Sequence, residues 1–344
     1  MTTPRVVNSV APIRVCDVGG WTDTWFARHG AVFNIAVYPY VEVQIEATER
    51  GNGNERVTIH AENFGDVYSV DPDHITYGKH PLIEAAIDVM RLPREHAFRI
   101  TLYSNAPPGA AAGTSAAVSV ALVGALRALS TDAPFLPYEA ATLAHRLETE
   151  KLGLQCGIQD QLASAYGGIN LIEMYEFPHA RVHALQIPNA LWWELEHRLA
   201  AVYVGAPHRS SEVHQKVIAD LGPDARDDAR LAGLRRLAIR AKDAVIAGDF
   251  PSLGAVMNEN TGFQRALHKE LVCEKFEQII AVSHEHGALG CKVNGAGGSG
   301  GTVTILTDGN ASTKRRLLRA LAERGFPSLP IYLSRLGLRV WSSS

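Results

Sequence analysis

Residues 107–117 read Pro107-Pro108-Gly109-Ala110-Ala111-Ala112-Gly113-Thr114-Ser115-Ala116-Ala117. They follow a strand-like run, 97–103, and open a segment, 115–129, dense in Ala, Val and Leu. Small residues let the backbone come close to a ligand. The free N–H groups and the positive dipole at a helix start favour an anion. The plainer alternative is a tight turn ahead of a core helix, with Thr114 or Ser115 as its cap; either hydroxyl could also ligate a hard cation. Two familiar phosphate loops are excluded. No lysine follows Gly113, and the two glycines do not make G-x-G-x-x-G.

Outward from this loop, residues 100–126 are uncharged and long enough to span a bilayer. Ser104, Asn105, Pro107, Pro108, Gly109, Thr114 and Ser115 make a poor membrane helix, so no membrane partner is expected. Strands are predicted at 32–46, 57–60, 97–103, 200–205, 301–306 and 336–341, with Pro39 marking an edge, bulge or break. Helices are predicted at 80–90, 115–129, 138–151, 159–166, 224–247, 276–286 and 313–324. Strands and helices mix without strict alternation, which favours α+β layers over a doubly wound sheet.

The chain has 344 residues, enough for two domains at ~150 residues each. Pro178 and Pro188 flank a short strand-like segment, which places the boundary within 177–191 and the domains at 1–185 and 186–344. With 46% hydrophobic and 20% charged residues, the composition is that of a globular protein with an ample core. Lys and Arg number 33 against 36 Asp and Glu, with no dense basic run, which argues against a nucleic-acid partner. The 4 cysteines lack C-x-x-C spacing, and residues 1–10 lack an apolar signal core; both fit a cytoplasmic protein.

The 107–117 stretch resembles the second motif of the GHMP kinases (galactokinase, homoserine kinase, mevalonate kinase and phosphomevalonate kinase), P-x-x-x-G-L-G-S-S-A-A. Ala112 stands for the usual Leu and Thr114 for the first Ser. Ala11-Pro12-Ile13-Arg14, then Gly19-Gly20-Trp21-Thr22-Asp23-Thr24, resemble the first motif. Lys292-Val293-Asn294-Gly295-Ala296-Gly297-Gly298-Ser299-Gly300-Gly301 resembles the third, with Asn294 and Ser299 as departures. Glu148 to Gln161 resembles the galactokinase-like E-x(9)-G-I-x-D-Q segment.

This resemblance covers nearly the whole chain. It implies an N-terminal domain like domain 2 of ribosomal protein S5 and a ferredoxin-like C-terminal domain. ATP and acceptor would meet between them. It implies catalytic roles for Asp160, as acid/base, and for Arg14, beside the transferring phosphoryl group. Residues 108–116 with Gly295, Gly297 and Gly298 would bind ATP phosphates, and Ser115 with Glu148 would bind Mg2+. Glu150 is the rival to Glu148; the alignment to Asp160 decides for Glu148. Gly20, Trp21, Thr22, Asp23 and Gln159 would bind substrate.

Gly205 to His214 contains Arg209-Ser210-Ser211 and resembles the G-x-x-R-x-S-S loop of heptose-phosphate and fucose kinases. Residues 257–260 and 337–341 look like those enzymes too. The implied reaction is phosphorylation of a sugar, at the anomeric hydroxyl. Arg209 and Ser210 would bind a phosphate already on the acceptor, or the serines would merely cap a helix. D-glycero-D-manno-heptose 7-phosphate is the first candidate. Trp21 is more like fucokinase sequences, which keeps a free fucose-, galactose- or arabinose-like sugar open. The assembly expected is a monomer or homodimer.

A catalytically silent sugar sensor is a rival, but it predicts damage at Asp160, Glu148, Ser115 or Arg14, and all four residue types are intact. His284 and His286 point apart on a helix and suggest no shared ion. Trp192, Trp193 and His145 read as packing residues.

Overall fold

The computed structural model describes residues 5–50, 55–131, 133–205, 210–222 and 224–343. In the first half, strands β1 (Arg5–Val18), β2 (Gly30–Glu49), β3 (Val57–Ala61), β4 (Asp66–Val70), β5 (His96–Ser104), β6 (Ile169–Glu176) and β7 (His179–Ala184) accompany helices α1 (Pro81–Met90), α2 (Thr114–Ser130), α3 (Pro137–Arg146) and α4 (Gln159–Tyr166). Next come α5 (Asn189–Arg198), β8 (Leu199–Tyr203), α6 (Ser210–Leu221), α7 (Ala229–Ala247), α8 (Phe250–Leu267) and α9 (Glu274–Glu285). The chain then forms β9 (Gly290–Val293), β10 (Thr302–Leu306), α10 (Ala311–Glu323), β11 (Ser328–Leu329), β12 (Tyr332–Leu333) and β13 (Arg339–Ser343).

The larger sheet runs β13-β1-β2-β5-β3-β4, with β6 and β12 also on β2 and β7 on β6. Its ladders are antiparallel except β3–β5. The smaller sheet runs β11-β8-β10-β9, all antiparallel. The α+β expectation therefore stands. A single cut near residue 185 does not divide the sheets, because β12 and β13 return to the first one. Leu237, Ala238, Leu253 and Met257 from the second half share one core with the first sheet.

Pro39 neither ends β2 nor lies on a free edge. It falls where β2 changes partners, between Gly30–Ile35 on β6 and Val41–Glu49 on β5. The β1 register also shifts there. No ladder N–H is needed at such a handover, so proline is tolerated.

The uncharged run 100–126 is the end of β5, a loop and most of α2. Ala116, Ala117 and 119–126 are buried, which makes α2 a core helix apolar on nearly all sides. Among the described residues no helix is long and apolar enough to cross a membrane. The predicted 138–151 helix is α3 followed by a π-helical turn, Leu147–Lys151. The predicted 224–247 helix begins only at Ala229, because the Asp228 side chain accepts from Arg230 N at 2.8 Å and caps it.

Candidate active site

The loop before α2 carries positive φ at Gly109 (73°), Ala111 (53°) and Gly113 (71°). Gly113 is the N-cap, and no side chain caps the helix. The capping role open to Thr114 or Ser115 is therefore not realised. The first N–H groups of α2 are left for another acceptor. Thr114 Oγ1 is buried without a partner. Residues 109–116 line a cavity of about 340 Å3 with Arg14, Asp23, Glu148, Asp160 and Gly295.

Glu148 sits on the π turn, which turns it inward while Glu150 pairs with Arg146 in solvent. Its Oε2 accepts from Ser115 Oγ at 3.1 Å. Its Oε1 accepts from Ser119 Oγ at 3.1 Å and from Gln161 Nε2 at 2.8 Å. Burial raises the Glu148 carboxyl above its ordinary range, against the pull of these three donors. No cluster of three or more His, Cys, Asp or Glu placed to hold a metal occurs among the described residues. Glu148 and Ser115 offer two hard oxygens, which suits Mg2+ carried mainly by phosphates and water.

Asp160 is the second residue of α4. Arg14, near the end of β1, donates through Nε to Asp160 Oδ1 at 2.8 Å and through Nη2 to Oδ2 at 3.2 Å. Its Nη1 donates to the Ala111 carbonyl. Burial opposes the guanidinium charge, but Asp160 and Asp17 outweigh it and raise the Arg14 pKa.

Asp23 is 4% exposed, and its Oδ2 accepts from Gln159 N at 3.0 Å. Burial pushes its carboxyl up to about 6, with help from the charges of Asp160 and Asp17. Gly157 has to be glycine here: a Cβ would lie 2.0 Å from Asp23 Oδ2. Trp21 lines the cavity at φ 79°, and its Nε1 is buried without a partner. The indole is met edge-on by His214 of α6 at 4.9 Å between centroids, and His214 Nδ1 donates to Gln155 O.

Some residues predicted from sequence lie elsewhere. Thr22 Oγ1 donates to Gly19 O at 2.7 Å and serves the turn, and Gly20 does not line the cavity. Pro108 is off the wall, its carbonyl accepting from the Tyr203 hydroxyl. Gly297 and Gly298 pack against Leu271: a Cβ on Gly297 would meet Leu271 O at 2.1 Å, and Gly298 N donates to that same oxygen. Gln159 lines the cavity, but its amide is engaged by Asn34 and Asp17. Arg209 lies outside the described residues, as does the side chain of Ser210, whose backbone opens α6. His284 and His286 each bond a nearby carbonyl, in keeping with a structural role.

Sequence reasoning passed over Asp17, Thr24, Gln155, Cys156 and His214, all on the cavity wall. Only Asp17 carried a signal, an acid inside an apolar strand and separated by Val18 alone from the Gly19-Gly20 pair.

Residues 81–168 match the GHMP kinases N terminal domain, and residues 241–325 match GHMP kinases C terminal. The chain belongs to the GHMP kinase family. GHMP kinases are phosphotransferases that use ATP as donor. The chain is 28% identical to D-glycero-alpha-D-manno-heptose 7-phosphate kinase of Campylobacter jejuni, over 71% of this chain and 70% of that one. It is 28% identical to galactokinase of Thermotoga petrophila, over 87% and 89% of the two chains. It is 26% identical to mevalonate kinase of Pyrococcus abyssi, over 98% of each. In fold it is similar to a D-glycero-D-manno-heptose 1-phosphate kinase from Bacteroides thetaiotaomicron, with a TM-score of 0.76, 24% identity, and coverage of 98% and 99%. GHMP kinases with different acceptors thus resemble this chain about equally, and the acceptor has to be argued from the cavity.

Proposed function

We propose that the chain is an ATP- and Mg2+-dependent sugar kinase that phosphorylates the anomeric hydroxyl, with D-glycero-D-manno-heptose 7-phosphate as the first acceptor. The observation that carries this is the convergence of Arg14, Asp160 and Glu148 on one glycine loop, with Asp23 in the same cavity. The α2 N-terminus and the loop N–H groups hold donor phosphates. Mg2+, held by Glu148 and Ser115, would supply charge neutralisation across those phosphates. Asp160 accepts or orients the proton of the attacking hydroxyl, and Arg14 offsets charge that develops on the transferred group.

A buried carboxyl with a raised pKa at the acceptor end, Asp23, favours an acceptor rich in hydroxyl donors over one carrying a carboxylate. That supports a sugar over mevalonate. The 7-phosphate rests on the Arg209-Ser210-Ser211 sequence and on the heptose kinase relative. Trp21 favours a second reading, a free fucose-, galactose- or arabinose-like sugar.

ADP release with Mg2+ and ATP tests this against heptose 7-phosphate, sedoheptulose 7-phosphate, fucose, galactose, arabinose, glucuronate and mevalonate. Turnover of a sugar phosphate is expected. Turnover of free sugars alone moves the assignment to the second reading, and turnover of mevalonate alone overturns both.

A further inference from the structure

Asp17 is 1% exposed near the end of β1 and forms part of the cavity wall. Its Oδ1 accepts from Lys292 Nζ at 3.2 Å. Its two carboxylate oxygens accept from Gly295 N at 3.0 and 3.2 Å. Its Oδ2 lies 3.8 Å from Arg14 Nη2 and 3.4 Å from Gln159 Nε2. Burial disfavours its charge, but Lys292 and Arg14 together hold its pKa below the ordinary range.

These bonds join segments far apart in the chain. Arg14 reaches Asp160 and the Ala111 carbonyl. Gly295 packs on that same carbonyl, so closely that a Cβ would lie 2.8 Å from it. Lys292 comes from β9 in the other sheet. One carboxylate therefore sets the guanidinium and the third glycine loop against the second loop.

We propose that Asp17 is a positioning residue for phosphoryl transfer, which fixes Arg14 against Asp160 and seats the Gly295 loop on Ala111, with Lys292 as its counter-charge. The proposal rests on the kinase reading but not on which acceptor is used. The competing account is that Asp17 only neutralises a buried lysine.

Asp17→Leu combined with Lys292→Met separates the two. Replacing a buried ion pair by apolar side chains of similar shape is often neutral for stability, whereas removing one partner leaves an uncompensated charge. The double variant is expected to melt within a few degrees of the wild type. Its kcat is expected to fall at least tenfold, with KM for ATP within about threefold. Recovery of kcat to within threefold of wild type overturns the proposal. The assay uses whichever acceptor the wild type turns over, so a wrong sugar assignment shows in the wild type alone. Amide exchange across 294–298 needs no acceptor: it is expected to rise at least tenfold in the double variant, and unchanged protection there also overturns the proposal.

Discussion

Arg14 and Asp160, 146 positions apart in sequence, meet through two N–H···O bonds at 2.8 and 3.2 Å. The fork geometry fixes the carboxylate at the cavity wall, where it retains enough exposure to meet an acceptor hydroxyl.

Asp160→Asn keeps the shape of that pair and removes the carboxylate proposed to take the acceptor's proton. Turnover is expected to fall on the order of 100-fold or more, the usual range for losing a positioned acid or base. Nucleotide affinity, followed by calorimetric titration, is expected to stay within a few-fold. Near-normal turnover would reassign the acid/base.

Glu148→Gln loses the charge and keeps one acceptor oxygen, so one of the Ser115 and Ser119 hydroxyls has to turn and accept from the new amide nitrogen. The Mg2+ concentration giving half-maximal ADP release is expected to rise roughly tenfold or more. An unchanged Mg2+ profile would overturn the proposed metal-binding role of Glu148.

Asp23→Asn tests the raised carboxyl. The folded value of about 6 lies above the ordinary 3.8. The native state therefore binds more protons between these values, so this group's contribution to stability is full below pH 3.8 and is lost as pH rises through 6. Above that window the buried charge costs up to about 3 kcal/mol. The variant is expected to melt higher than the wild type at pH 8 and about equally at pH 3.5, while turnover of sugar falls. Equal shifts at both pH values would show that Asp23 does not titrate in this way.

Gly113→Ala places a Cβ 3.3 Å from both Arg14 Cγ and Asp160 Cγ at a φ of 71°. The left-handed conformation costs about 1–2 kcal/mol, and the new methyl presses on the pair. A lower melting point with at least a tenfold loss of kcat is expected. Gly153→Ala shares the positive φ but meets nothing within 4 Å. Thermal melts and ADP release on both variants should show strain at each position and catalytic loss only at Gly113.

What the sequence made legible was mostly local. The loop at 107–117 and the α4 span, 159–166, could be read because small residues, apolar spacing and the glycine after α4 act on their neighbours. Glu148 was separable from Glu150 only by alignment; the π turn that orients it has no simple sequence pattern. The helix α8 was missed because Asn260, Thr261 and Gln264 are buried polar groups. They bond Gly19 N, Cys291 O and Val293 O, and so blur the apolar period. Asp17 was passed over for a related reason: its partners are brought to it by the fold from positions beyond 290.

The pairing of β1 with β13 bears on how the protein is made. Val6 to Val10 find their outer neighbours at 339–343. On the ribosome, β1 emerges long before its partner exists, and its outer edge stays unpaired until residues 339–343 have been translated. The first sheet is thus completed only after every strand of the smaller sheet has been made. Shortening the chain by a few residues near position 340 would leave that strand with an open flank suited to pairing with another copy.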